Sequence, residues 1–149
     1  MQRALIKSAI DTISMMCGQE LSVKKVHIHK RDIIPNSIAV VLELVGDVEG
    51  KVVMRFTPEN AKKTASALMC GMPVDNLDEM ALSALSELGN MIMGGTATGI
   101  AAMGATVDIT TPTVVQGDIP IKGKTTTLSI PLENADMRVV LDVSIKRKT

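Results

Sequence analysis

The stretch SIAVVLELVGDVEGKVVMRF, residues 37–56, constrains the fold more than any other part of the chain. It contains two runs rich in β-branched residues, 37–46 and 50–56, with a short turn between them that begins at Gly46 and ends at Gly50. β-Branched side chains favour extended strands, and two such runs joined by a short turn with glycine are typical of a hairpin. The sequence therefore predicts two adjacent antiparallel strands here.

Further strands are predicted on both sides of this hairpin. Residues 106–115 form one extended stretch that Pro112 interrupts, and residues 134–136 form a turn between two runs that can pair with each other. With a short segment near the N-terminus, the expected number of strands is about six. The additional predicted strands are 23–29, 106–115, 125–133 and 137–145.

Three helices are predicted, at about residues 3–17, 57–71 and 77–103. The first has apolar residues at helical spacing. Thr57 can cap the second helix, and Pro58 fits its first position. Because most strands are joined by tight turns or lie in antiparallel order, the pattern predicts an α+β fold, with two long helices packed on an antiparallel sheet of about six strands.

The third helix is the longest, and its start is predicted at a capping box formed by Asn76 and Glu79. The pair Gly94–Gly95 is a place where it can kink. With about 100° per residue, the apolar residues occupy one arc of the helix, which is the expected core face. The residues of that arc are Leu77, Met80, Ala81, Ala84, Leu85, Leu88, Met91 and Ile92.

The composition argues against several classes of function. Lys plus Arg and Asp plus Glu both number 16, so no net charge attracts nucleic acid or anionic membrane. Phe56 is the only aromatic residue, which argues against base stacking. No apolar run approaches the roughly 20 residues that span a bilayer, and no signal peptide is recognisable. We interpret residues 1–149 as a single cytoplasmic domain without membrane insertion.

Metal binding is not expected. His27 and His29 would face the same side of a strand, but no Cys, Asp or Glu cluster completes a ligand set. The two cysteines, Cys17 and Cys70, are too few for a disulfide framework or a zinc site by themselves.

Three polar residues of the third helix share one side, away from the apolar arc. Ser83, Glu87 and Asn90 follow the spacing i, i+4 and i+7 and fall within about 60° of one another, so a single partner could meet all three. Polar residues on such a face are also what any surface helix shows. Gly89 would expose backbone beside Asn90 and let another surface come close; the alternative for this glycine is close helix packing.

These residues resemble a known family. The segment SALSELGN has the pattern Ser/Asp-x-x-x-Glu-x-x-Asn, and in the later segment TPTVV twenty-one residues separate Asn90 from Pro112. Both resemble the CheC/CheX/FliY family of bacterial chemotaxis phosphatases, and the similarity covers nearly the whole chain. CheC and FliY carry Glu-x-x-Asn twice, whereas the first helix here lacks it, so the CheX group is the most similar. The resemblance implies a CheC-like fold and a homodimer whose sheet continues across both protomers.

The resemblance further implies a phosphatase acting on the aspartyl phosphate of a phosphorylated CheY-type response regulator. Glu87 and Asn90 are then the catalytic candidates: Asn90 would orient the attacking water, and Glu87 would anchor the regulator's active-site lysine. Ser83, Gly89 and Pro112 are the candidate partner-binding residues. The chain itself would hold no cofactor, because the bound regulator would supply Mg²⁺. The alternative function is a non-catalytic module that binds or sequesters a response regulator through the same face.

Overall fold

The structure, a computed structural model, describes residues 2–28, 33–120 and 127–147. Within these ranges, three helices accompany an eight-stranded antiparallel sheet. The helices are α1 (Gln2–Cys17), α2 (Pro58–Leu68) and α3 (Glu79–Ala102). The strands are β1 (Ser22–Val23), β2 (His27–Ile28), β3 (Ile33–Gly46), β4 (Val48–Phe56), β5 (Val107–Ile109), β6 (Thr113–Pro120), β7 (Leu128–Glu133) and β8 (Arg138–Arg147).

The strand order across the sheet is β1-β7-β8-β4-β3-β5, with β2 also paired to β7 and β6 also paired to β3. The predicted hairpin is confirmed as β3–β4, with register from Ile38 opposite Phe56 to Leu44 opposite Gly50. The hairpin predicted at residues 134–136 is confirmed as β7–β8. The two hairpins meet where β4 pairs with β8, which places the β-branched segments at the centre of the sheet.

The α+β prediction is confirmed, but the described residues contain eight strands because two predicted strands are each divided. The segment 23–29 overlaps β1 and contains β2, and the segment 106–115 contains β5 and the start of β6. At the second break, Thr110 bridges to β3: its N–H donates to the Glu43 carbonyl (3.0 Å), and its Oγ1 accepts from the Glu43 N–H (2.9 Å). The break precedes Pro112, which has no N–H to donate to a ladder.

The core lies between the helices and one face of the sheet. Strand β3 contributes alternate residues to it, as the two-residue period of a strand requires. Phe56, at the end of β4, is fully buried there. The core side chains of β3 are Ile38, Val40, Leu42 and Leu44, and those of α3 include Leu85, Leu88, Ile92 and Met93.

Helix α3 begins at a different cap from the predicted one. Asp78 is the N-cap residue, and its Oδ1 accepts from the Ala81 N–H (2.9 Å). The predicted capping box of Asn76 and Glu79 is therefore wrong, because the helix starts about two residues later than expected and Glu79 is its first residue. The chain stays helical through Gly94 and Gly95 to Ala102.

The sheet face opposite the core carries a buried ion pair. Asp142 on β8 is 1 % exposed, and its Oδ2 accepts from Arg55 Nε on β4 at 2.7 Å. Arg55 Nη2 and Ser129 Oγ both donate to the other carboxylate oxygen, Oδ1. These donors compensate the loss of water around the buried carboxylate.

The homodimer stays a prediction; β5 and β6 border one side of the described sheet, and β1 and β2 border the other. In the part of the chain that the structure describes, none of the helices combines the length and the apolar character needed to cross a membrane.

We predict that Asp142→Ala lowers the free energy of unfolding by about 3 kcal/mol, because it leaves Arg55 without its buried partner. Urea unfolding followed by circular dichroism measures the change. Asp11→Ala is the matched control, because the Lys7–Asp11 pair on α1 is exposed and its loss should scarcely move the unfolding midpoint. Equal effects of the two substitutions would contradict the prediction.

Candidate functional site

The three polar residues predicted to share a face do share one on α3. Ser83 and Glu87 are exposed, and Asn90 is half-buried. With a rise of about 1.5 Å per residue, the three span about 10 Å along the helix axis. We call these three residues the motif face. A partner docking along one helix could contact all of them.

The side chains of the motif face have no partner within the molecule as far as it is described. Across residues 2–28, 33–120 and 127–147, none forms a hydrogen bond or an ion pair with the side chain of Ser83, Glu87 or Asn90. An acid and an amide that make no internal bond contribute little to the fold. Both remain available to bind groups of another molecule.

The opposite side of α3 fixes the helix in the core. Leu85, Leu88, Ile92 and Met93 are all at most 2 % exposed. Burial of these residues holds the backbone positions that carry the motif-face side chains, which a site that must place a reacting group requires. The motif face therefore lies on a rigid support.

The buried side of α3 differs from the predicted arc. Met80 was expected in the core and is 63 % exposed, whereas Gly89 and Thr96 are buried. On an ideal helix, the centre of the buried residues lies about 80° from the centre of the predicted arc. On the same ideal helix, the motif face is centred about 160° from the buried residues of α3, further from the core than the sequence indicated.

Gly89 does not line the motif face, which corrects its assignment as a partner-binding residue. It is buried, and a Cβ added there would lie 3.0 Å from Val40 Cγ1 and 3.2 Å from Leu42 Cδ1. Both atoms belong to β3. The alternative of close packing is the one that the structure supports: the glycine lets α3 approach the sheet.

Pro112 lies on a different element from the motif face. It is half-buried in the connection between β5 and β6, and α3 packs against both of these strands. The structure thus brings Ser83, Glu87 and Asn90 together on one helix and places Pro112 beside the sheet. A partner-binding role for Pro112 stays a prediction.

Two residues that the sequence analysis did not assign to the site border the motif face. Met80 precedes Ser83 by three residues and is exposed. Gly94 follows Asn90 by four residues, and a Cβ added there would meet no atom within 4 Å other than its chain neighbours and the nearby backbone of α3 itself. The period of the helix could have identified both, since i+3 and i+4 neighbours share a face.

The described residues contain no group of three or more His, Cys, Asp or Glu side chains placed to hold a metal ion. His27 lies on β2 and is exposed, with its Nδ1 3.2 Å from the Lys25 carbonyl oxygen. His29, the other residue of the considered pair, lies outside the described residues.

Comparison with known proteins identifies the family. The family model described as chemotaxis phosphatase CheX matches residues 38–133, which include the β3–β4 hairpin and the whole of α3. The chain belongs to the CheX family. The family prediction from the sequence is thereby confirmed.

Individual relatives agree with this assignment. The CheY-P phosphatase CheX of Thermotoga maritima is 42% identical over 130 residues, which cover 87% of this chain and 84% of that protein. A CheX–CheY–BeF3–Mg²⁺ complex from Borrelia burgdorferi is similar with a TM-score of 0.82 and 25% identity, covering 97% of both chains. The chemotaxis protein CheX of Desulfovibrio desulfuricans shares the fold, with a TM-score of 0.86, 19% identity and 97% coverage of both chains.

We predict that Gly89→Leu lowers the free energy of unfolding by about 2 kcal/mol or more, because the new side chain must displace the side chains of Val40 and Leu42. Ser83→Leu, on the exposed side of the same helix, should change stability by less than about 0.5 kcal/mol. Chemical denaturation of both variants tests the prediction. A Gly89→Leu protein as stable as Ser83→Leu would show that the sheet does not require a glycine here.

Proposed function

We propose that this protein is a phosphatase that hydrolyses the aspartyl phosphate of a phosphorylated CheY-type response regulator. The observation that carries the proposal is the pair Glu87 and Asn90 on one face of α3, in a member of the CheX family: Glu87 is exposed, Asn90 is half-buried, and neither side chain is paired within the described chain. The 42% identical relative is named a CheY-P phosphatase, and a similar CheX forms a complex with CheY.

The reaction requires few groups from the phosphatase. A water oxygen attacks phosphorus, the bond from phosphorus to the aspartate oxygen breaks, and the products are a free carboxylate and inorganic phosphate, which takes up the proton of the water. The main requirements are a water in line with the breaking bond and stabilisation of charge on the phosphoryl oxygens. Mg²⁺ and a lysine of the regulator would supply the positive charge, so this chain needs no metal of its own.

Asn90 is the group that orients the water. Its side-chain carbonyl oxygen can accept a hydrogen bond from the water, and its NH₂ group can donate to a phosphoryl oxygen. The amide is neutral, so it approaches the phosphoryl group without the repulsion that a carboxylate would meet. Because Asn90 cannot remove a proton, its contribution is positional: it reduces the freedom that the water must lose in the transition state.

Glu87 is the group that fixes the docking register. It lies almost one turn before Asn90 on the same face and makes no ion pair within the described chain. A lysine of the regulator that pairs with this carboxylate would hold the phosphoryl group at the level of Asn90. Ser83, one turn earlier, would contact the partner at the rim, and Pro112 would shape the strand connection beside α3.

The second candidate function is a non-catalytic module that sequesters the regulator through the same face. Free polar groups on one helix favour docking, but docking alone does not require hydrolysis. The two functions differ in stoichiometry: a phosphatase dephosphorylates many regulator molecules per protein molecule, whereas a sequestering module protects or binds only one.

We also propose the homodimer, in which the sheet continues from one protomer into the next at an unpaired edge of the described strands. Each protomer would then present its own motif face, so dimerisation is not expected to be part of the chemistry. Light scattering during size-exclusion chromatography measures the assembly; a mass of one protomer at all concentrations would contradict the proposal.

We predict that Asn90→Ala lowers kcat toward a phosphorylated CheY-type regulator by about 100-fold or more, because the water loses its orienting group. Asn90→Asp should be impaired as strongly, because a carboxylate repels the phosphoryl oxygens. Release of inorganic phosphate at substoichiometric protein measures the effect. Stability should be unchanged within about 0.5 kcal/mol. Wild-type turnover by both variants would exclude the assignment of Asn90.

We predict that Glu87→Ala raises KM for the phosphorylated regulator by roughly 10-fold or more, because the docking ion pair is lost. Glu59→Ala is the matched control: Glu59 is an exposed acid on α2, and its loss should change KM less than about twofold. If the two variants had the same KM, the anchor would lie elsewhere on the surface.

A further inference from the structure

Helix α3 contains four glycines, and packing accounts for three of them. A Cβ at Gly89 would press on β3, as described above. A Cβ at Gly95 would clash with Ser8 Oγ, and one at Gly99 would lie 3.0 Å from Ala4 Cβ, so both glycines let α1 approach α3. In each case a side chain would displace a neighbouring element of the fold.

Gly94 is the exception. Beyond its chain neighbours and the nearby backbone of α3 itself, no atom lies within 4 Å of a Cβ added there; the residue is half-buried and has ordinary helical backbone geometry. Glycine is the poorest helix former after proline, because it loses the most backbone freedom on folding. At this position, then, glycine lowers the stability of the helix with no compensating contact inside the described molecule.

The location of Gly94 on the helix indicates its role. It follows Asn90 by four residues, which places it about 6 Å further along the helix and within about 40° of Asn90 around the axis. It therefore continues the line of Glu87 and Asn90. A side chain at position 94 would project over the groups that the proposed function assigns to docking and to water placement.

We propose that Gly94 is a positioning residue for the phosphatase reaction: its lack of a side chain lets the active-site rim of the phosphorylated response regulator close onto α3, so that the phosphoryl group reaches Asn90. The inference rests on the proposed function. The occupant is the regulator because Gly94, which is half-buried, lies on the same side of α3 as the unpaired side chains of Glu87 and Asn90. Even one methyl group here would hold the partner away by an ångström or more, and a 1 Å misplacement can reduce a rate about 100-fold.

With this role, adding a side chain at position 94 should raise the stability of the protein and lower its activity. Gly94→Ala should raise Tm by roughly 2–4 °C, because alanine is the better helix former and its Cβ meets nothing. The same substitution should lower kcat/KM toward the phosphorylated regulator by about 10- to 100-fold, and Gly94→Gln by about 100-fold or more. Ala102→Gln, at the exposed last residue of α3, is the control for added bulk and should keep kcat/KM within about twofold.

The experiment measures Tm, phosphate release and affinity for the regulator activated with BeF3 and Mg²⁺, for the wild type, Gly94→Ala, Gly94→Gln, Ala102→Gln and Asn90→Ala. A more stable, less active Gly94→Ala protein with weaker binding supports the inference. If the wild type is active and Gly94→Ala is equally active, or if Gly94→Ala has a lower Tm, the inference is overturned and the proposed function stands. A wild type that neither hydrolyses nor binds the regulator overturns both.

Discussion

The close contact between α3 and strand β3 at Gly89 determines how the candidate site faces the solvent. Because this residue has no side chain, Val40 and Leu42 can press against the helix backbone, and the rotation of α3 about its axis is fixed. That rotation turns Glu87 and Asn90 away from the sheet. A side chain at position 89 would change the distance or the rotation of the helix, and the acid and the amide would move with it.

A second contact keeps the helix in place from the side. Ser8 on α1 donates a hydrogen bond to the carbonyl of Ile92 (2.7 Å), and it packs against Gly95. The helix is thus held by the sheet, by α1 and by α2, which also packs against it, while the motif face makes no hydrogen bond or ion pair within the described chain. The proposed chemistry needs no unusual ionisation of a side chain; it needs an amide held at a fixed place, and the two glycine contacts provide that rigidity.

Much of this arrangement is predictable from the sequence, and the failures have physical reasons. The hairpin of residues 37–56 and the grouping of Ser83, Glu87 and Asn90 follow from local periodicity, which a single segment contains. The rotation of α3 does not, because an apolar count places Met80 in the core and treats Gly89 as neutral. The ion pair of Asp142 with Arg55 joins residues far apart in the chain, and no spacing rule indicates it.

The glycines of α3 show most clearly what the sequence alone does not reveal. In the sequence, Gly89, Gly94, Gly95 and Gly99 are equivalent departures from good helix formers, and each lowers helix stability by about 1 kcal/mol relative to alanine. Only their neighbours in space distinguish them: a Cβ added at Gly89, Gly95 or Gly99 would meet another element, and one added at Gly94 would meet none. Gly94 lowers helix stability without a structural reason and lies next to unpaired polar groups. This combination is typical of a site at which stability is reduced in favour of activity. The free side of the helix is therefore shaped by what must approach it, as its buried side is shaped by the sheet.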